Sequence, residues 1–127
     1  MRYGRLVAGI LLAGLPLAGS ALAEELDGAA IRSLIAGKKV YLSTPYGVEL
    51  PLEYKRNGAV RGDVSGISLA RVFTPSETGQ WWVDGNRLCQ KWPSWYDGTT
   101  ACFSLRKTAD GIRWLRDDGL KGTASIE

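Results

Sequence analysis

The stretch Gln80-Trp81-Trp82-Val83-Asp84-Gly85-Asn86-Arg87-Leu88-Cys89-Gln90-Lys91-Trp92 decides how this chain folds. Gly85-Asn86 is a two-residue loop suited to a primed hairpin turn, whose positive φ glycine enters at no steric cost and whose twist matches two antiparallel strands. A loop this short fixes the register. Asp84 then faces Arg87, Val83 faces Leu88, Trp82 faces Cys89 and Trp81 faces Gln90, so an opposite-charge pair and an apolar pair both form. Alternation along a strand sends Trp81 to the core with Val83 and leaves Trp82 outside. If Cys102 pairs with Cys89, Phe103 falls opposite Leu88 and Ala101 opposite Gln90. The result is a three-strand meander with its cysteines on the face away from the core.

Upstream, Asp27 can cap a helix over Gly28 to Ala36 that places Ile31, Leu34 and Ile35 on one stripe and stops at Gly37. From Lys38 the period changes to two. Val40 and Leu42 precede a Thr44-Pro45-Tyr46-Gly47 turn, and Val48, Leu50, Leu52 and Tyr54 alternate with Glu49, Pro51, Glu53 and Lys55. Pro51 lacks a ladder donor, which predicts an edge or bulged strand. Arg56-Asn57-Gly58 is a turn, Ala59 to Val64 and Ile67 to Phe73 are strands, and Thr74 to Gly79 is a polar loop. Strands at Ile112 to Arg116 and Thr123 to Ile126 follow, with Asp117-Asp118-Gly119 between them. Six to eight short strands behind one short N-terminal helix predict a mainly β fold, a small antiparallel barrel or strongly curved sheet, with a β-sandwich as the alternative.

The first 23 residues read as a removable export signal. Arg2 and Arg5 precede an apolar run from Leu6 to Leu17 that is too short to span a bilayer, and Ala21-Leu22-Ala23 ends in the small-x-small pattern before Glu24-Glu25. Residues 24–127 are then a single small β domain with no membrane span of its own. Of 16 Lys and Arg, two leave with the signal, and the remainder nearly balance 13 Asp and Glu. A near-neutral chain without a basic block argues against nucleic acid. An exported, periplasmic or secreted chain with two cysteines predicts a Cys89–Cys102 disulfide.

Leu26-x-Gly28, Ile35-Ala36-Gly37-Lys38, the Gly79 to Trp92 segment and Cys102-Phe103 together resemble a domain-of-unknown-function family of small exported bacterial proteins. Its pattern is a leading helix ending in Gly-Lys, an Asn-Gly or Asp-Gly turn, then Gly-x-Trp, Leu-Cys-x-x-Trp and a second Cys. The resemblance implies an export route and a fold type, and no activity.

Catalytic constellations are sparse. Glu49 and Glu53 stand about 13 Å apart along a strand, beyond the roughly 5 to 9.5 Å that paired glycosidase carboxylates use. There is no histidine, so a serine nucleophile such as Ser43, Ser65, Ser68 or Ser104 would need another base, and neither a zinc site nor a haem has its usual imidazole. Asp110-Gly111 and Asp117-Asp118-Gly119 lack a calcium-loop ladder and read as turns. Gly58, Gly62 and Gly66 read as turn and bulge positions rather than a phosphate loop. No metal and no cofactor are implied.

The aromatic residues carry the binding signal. Trp82 outside the disulfide and the Lys91 to Asp97 loop, with Trp92, Trp95 and Tyr96, could form one exposed recognition surface. The competing reading has Trp82 shielding the disulfide while Trp92 and Trp114 complete the core. The expected function is an exported, non-enzymatic binding module whose partner is another exported protein or a small ligand. The alternatives are an inhibitor or accessory protein of an exported enzyme, and a small enzyme that uses carboxylates and lysines.

Overall fold

The computed structural model describes residues 24–43, 49–64 and 76–127. Helix α1 (Gly28–Ile35) begins where Asp27 accepts a hydrogen bond from the Ala30 N–H at 2.9 Å. It stops at Gly37, whose φ of 77° is the left-handed step that ends a helix. Ile31 and Ile35 are fully buried, so the predicted stripe is the one that packs.

Eight strands follow among the described residues: β1 (Lys38–Ser43), β2 (Glu49–Tyr54), β3 (Ala59–Gly62), β4 (Glu77–Asp84), β5 (Arg87–Lys91), β6 (Ala101–Lys107), β7 (Gly111–Arg116) and β8 (Lys121–Ile126). Each pairs antiparallel with its neighbour, and β8 returns to β1 through Val40↔Ile126 and Leu42↔Ala124. The sheet is therefore a closed barrel, not a sandwich, and closure leaves no open edge to aggregate.

The hairpin adopts the register that its sequence dictates, from Asp84↔Arg87 to Trp81↔Gln90, and Leu88↔Phe103 and Cys89↔Cys102 continue it. Gly85 takes φ 61° while Asn86 stays out of the positive region, the pattern of a II′ turn. Cys89 and Cys102 form a disulfide with Cα atoms 4.1 Å apart, the spacing of directly opposed residues.

The Pro51 expectation changes. A closed barrel has no edge strand, and Pro51 is tolerated because β2–β3 pairing begins only at Leu52↔Gly62. Its carbonyl accepts from Asp63 N–H at 3.3 Å, so Pro51 stands at the last rung of that ladder, where the one bond its missing N–H would have made is forgone. The expected strand at Ile67 to Phe73, the Thr44 to Gly47 turn, Val48, Ser65, Gly66, Ser68, Thr74-Pro75 and the export signal lie outside the described residues.

Helix α1 stoppers one end of the barrel. Its start is tied to the β4–β5 turn, where Gly28 N–H donates to Asn86 Oδ1 at 3.0 Å and a Cβ on Gly28 would stand 2.4 Å from the Gly85 carbonyl oxygen. Its end is tied to β2, where Gly37 N–H donates to the Tyr54 carbonyl at 2.7 Å. No helix among the described residues is long and apolar enough to cross a membrane.

Candidate functional site

The end of the barrel opposite the helix gathers the β5–β6 loop (Trp92 to Thr100), the β7–β8 turn (Asp117 to Leu120) and the start of β4. Two tryptophans stopper it. Gly62 and Gly79 face inward, opposite the core residues Leu52 and Val60, and the rings of Trp95 and Trp92 fill the space their missing side chains leave. A Cβ on Gly62 would stand 2.2 Å from Trp95, and one on Gly79 would stand 3.0 Å from Trp92. The two rings pack on each other with centroids 4.4 Å apart. Trp114 repeats the device on β7 over Gly122, directly opposite it on β8. Fitting these rings leaves the indole N–H of Trp92 and of Trp114 buried without a partner.

Beyond Trp95 the chain turns sharply. Tyr96 (φ 57°, ψ 35°) and Asp97 (φ 55°, ψ 28°) are consecutive residues in the left-handed region, inside a 3₁₀ turn at Trp95–Gly98. For residues with a Cβ this costs roughly 1–2 kcal/mol each, and it persists only where the surroundings impose it. Here they do. Glu77 accepts from the Ser94 hydroxyl, from Ser94 N–H at 3.1 Å and from Trp95 N–H at 3.2 Å. Lys91 Nζ donates to the Gly98 carbonyl at 2.6 Å, and the Thr99 hydroxyl donates to the Tyr96 carbonyl at 2.6 Å. The Arg116 guanidinium lies 4.9 Å from the Tyr96 ring centroid and is itself held by both carboxylate oxygens of Asp118, at 2.9 and 2.7 Å.

The charges at this corner are set to stay charged. Partial burial works against the Glu77 carboxylate, but the Ser94 hydroxyl and the backbone N–H groups of Ser94 and Trp95 outweigh it and hold its pKa below the usual value. The hydrogen bond from Arg116 brings Asp118 down to about 2. Burial raises Tyr96, an effect that neighbouring Arg116 opposes. Deeper in the lumen, burial drives the Tyr54 phenol well above the ordinary tyrosine value, and its hydroxyl donates to Gln90 Oε1 at 2.6 Å. None of these groups is poised near neutrality for proton transfer.

The four residues singled out in the sequence do not form one surface. Tyr96 is 39% exposed, Trp95 is half-buried as a plug, and Trp92 is 1% exposed and belongs to the core. Trp82 is half-buried on the outer wall, opposite Cys89, whereas the Trp95 ring lies over an inward-facing glycine. The barrel wall separates them. Two residues the sequence did not flag are also exposed. Leu115 and Leu120 are 47% and 51% exposed and complete the described set of exposed large apolar residues. Both flank Arg116: Leu115 precedes it, and the Leu120 carbonyl accepts from Arg116 N–H at 2.7 Å.

The lumen itself is nearly full. Its cavity, walled by Val40, Leu52, Leu105 and Ile112 with Tyr96 at the mouth, measures about 30 Å³, against the ~150 Å³ of a cavity that takes benzene. Among the described residues no group of three acidic or cysteine side chains could hold a metal ion. No protein-family model, curated protein or solved structure matches the chain.

Proposed function

We propose that this protein is an exported binding module, acting in the periplasm or outside the cell, that recognises a protein partner through the corner built on Tyr96. One observation carries the reading. An exposed aromatic ring sits on two successive left-handed residues, a conformation bought with strain and braced by Glu77, Lys91 and Arg116. Rigid aromatic anchors of this kind supply binding energy at low ordering cost. A lumen stoppered at both ends favours a protein partner over an enclosed small ligand. The Cys89–Cys102 disulfide and the sequence of residues 1–23 support export.

The same bracing favours one variant of this reading, in which the partner is an exported enzyme and the rigid corner acts as its inhibitor. The catalytic alternative has less support, because the perturbed carboxylates here are fixed in their charged forms.

The test is affinity capture from an envelope extract with the native protein and with Tyr96→Gly, which keeps the backbone conformation without strain. A single stoichiometric partner held by the native protein and lost by the folded variant is the expected result. Equal capture by both, or no capture by either, overturns the assignment.

A further inference from the structure

Four strands of the outer wall carry one row of polar side chains. Glu49 of β2 stands directly opposite Ser43 of β1. The Thr123 hydroxyl of β8 donates to Ser43 Oγ at 3.4 Å, and Thr123 stands directly opposite Arg113 of β7. The row therefore runs carboxylate, hydroxyl, hydroxyl, guanidinium across three strand spacings, roughly 14 Å. These side chains face outward because they alternate with Leu42, Ala124 and Ile112, which line the lumen. With Ser125 and Asp110 they wall a cleft of about 330 Å³, whose apolar lining residues, Ile112 and Ala124, belong to the core. Tyr41 lies beside the cleft, two residues before Ser43 on the same face of β1 and directly opposite Ser125. Its ring is half-buried, and its hydroxyl donates to Glu127 Oε1 at 3.3 Å, which fixes the ring on the wall.

The ends of the row are unspent. Among the described residues the side chains of Glu49, Asp110, Arg113 and Ser125 make no hydrogen bond or ion pair. Two carboxylates and one guanidinium share the cleft, so neither a cation nor an anion meets a field of one sign. A peptide finds little to hold, because a closed barrel has no edge strand to extend and the cleft has no apolar pocket for a side chain. A neutral molecule dense in hydroxyls uses the whole set. Each of its hydroxyls can donate to a carboxylate and accept from the guanidinium or from a serine or threonine hydroxyl, and the bonds at the two ends of the row are charge-assisted. A sugar ring also has an apolar C–H face, for which the Tyr41 ring is a platform. We propose that this wall binds a neutral oligosaccharide laid across β2, β1, β8 and β7, with Glu49 and Arg113 orienting its two ends. The inference goes beyond the Tyr96 reading and does not depend on it, since neither Tyr96 nor any of its braces lines the cleft.

The probes are short cello-, malto- and chito-oligosaccharides, each titrated into the isotopically labelled, disulfide-bonded protein and followed by amide chemical shifts. At least one is expected to give saturable shifts at Ser43, Arg113, Thr123 and Ser125. Because the ligand is uncharged, its affinity should change less than about twofold between roughly 50 and 500 mM salt. Glu49→Gln with Arg113→Gln, both exposed on the outer wall, should weaken binding at least about tenfold, the loss of one hydrogen bond to a charged group. Thr123→Val keeps the shape of its side chain and removes only the hydroxyl, so it should weaken binding by a smaller factor even if the double variant proves unstable. Absence of saturable shifts from all three probes, shifts centred away from these residues, or affinity that falls with salt would each overturn the proposal. So would undiminished binding by the folded double variant or by Thr123→Val, or a monosaccharide that binds as tightly as its oligomer.

Discussion

Replacing Tyr54 by Phe removes one hydroxyl and leaves Gln90 Oε1 without its donor in the lumen. Both residues are only 3% exposed, and Gln90 is the buried polar residue of the described core. An orphaned buried acceptor costs roughly 1–3 kcal/mol, which for a domain of this size lowers Tm by about 4–8 °C per kcal/mol. Gln90→Met should cost a similar amount, because it orphans the Tyr54 hydroxyl instead. Combining the two removes both halves of the hydrogen bond and replaces them by apolar atoms, so the double variant should return to within about 1 kcal/mol of the native protein. Urea unfolding of the four proteins measures the coupling, expected at about 2–3 kcal/mol. The same phenol gives a pH signature. Its pKa is raised in the folded state, so above the ordinary tyrosine value near 10 the unfolded chain loses a proton that the folded chain keeps. Stability is then fully present below pH ~10 and falls above it by up to about 1.4 kcal/mol per pH unit for each retained proton. Tyr54→Phe removes that component and leaves the smaller one from Tyr96. Additive single-variant losses, or an alkaline limb identical in the Phe variant, would refute the buried-pair argument.

Other outcomes are as definite. Reducing the Cys89–Cys102 disulfide, which closes a loop with a sequence separation of 13, should cost about 3 kcal/mol; two titratable thiols in the unreduced protein would contradict the bridge. Gly62→Ala should expel the Trp95 ring from its socket, because a Cβ there would stand 2.2 Å from the ring, and the expulsion should be seen as a red shift in tryptophan emission. The depressed pKa of Asp118 means that its contribution is present above about pH 4 and is lost as pH falls toward 2. Asp118→Asn should remove that acid dependence and loosen the Tyr96 ring, which ring-proton line widths would report.

Local signals were legible and long-range ones were not. The helix, its cap, the hairpin register and the cysteine pairing follow from neighbours in sequence and from one two-residue turn. Closure of β8 onto β1 does not, because no local pattern specifies a partner more than eighty residues away. Nor does the tie between Asn86 and Gly28, which uses a turn residue as a remote helix anchor. At the candidate site the aromatic excess pointed to the β5–β6 loop, but burial could not be divided among its members. Gly62 carried the missing signal. An isolated glycine inside a strand marks a close approach, and assigning it to a turn or bulge hid the socket that draws Trp95 inward. Leu115 gave no sequence signal, since an outward leucine on a strand looks like any alternating apolar residue until its partners are known, and Leu120 lies in the β7–β8 turn, outside any strand pattern.

The placement of the sockets bears on why the corner can be strained at all. Trp92 and Trp95 are fixed on Gly79 and Gly62 inside the mouth, so the chain leaves the barrel at a defined point and angle. Glu77 at the start of β4 then holds Ser94 and Trp95 just before the turn, and Arg116 at the end of β7 packs on the Tyr96 ring. With both flanks anchored to the closed sheet, Tyr96 and Asp97 have no route to relax except by breaking those braces, and the cost of their left-handed backbone is carried by the barrel. On this view the filled lumen and the exposed ring belong to one arrangement, in which a container too full to carry cargo is instead a rigid mount for a side chain presented outside it.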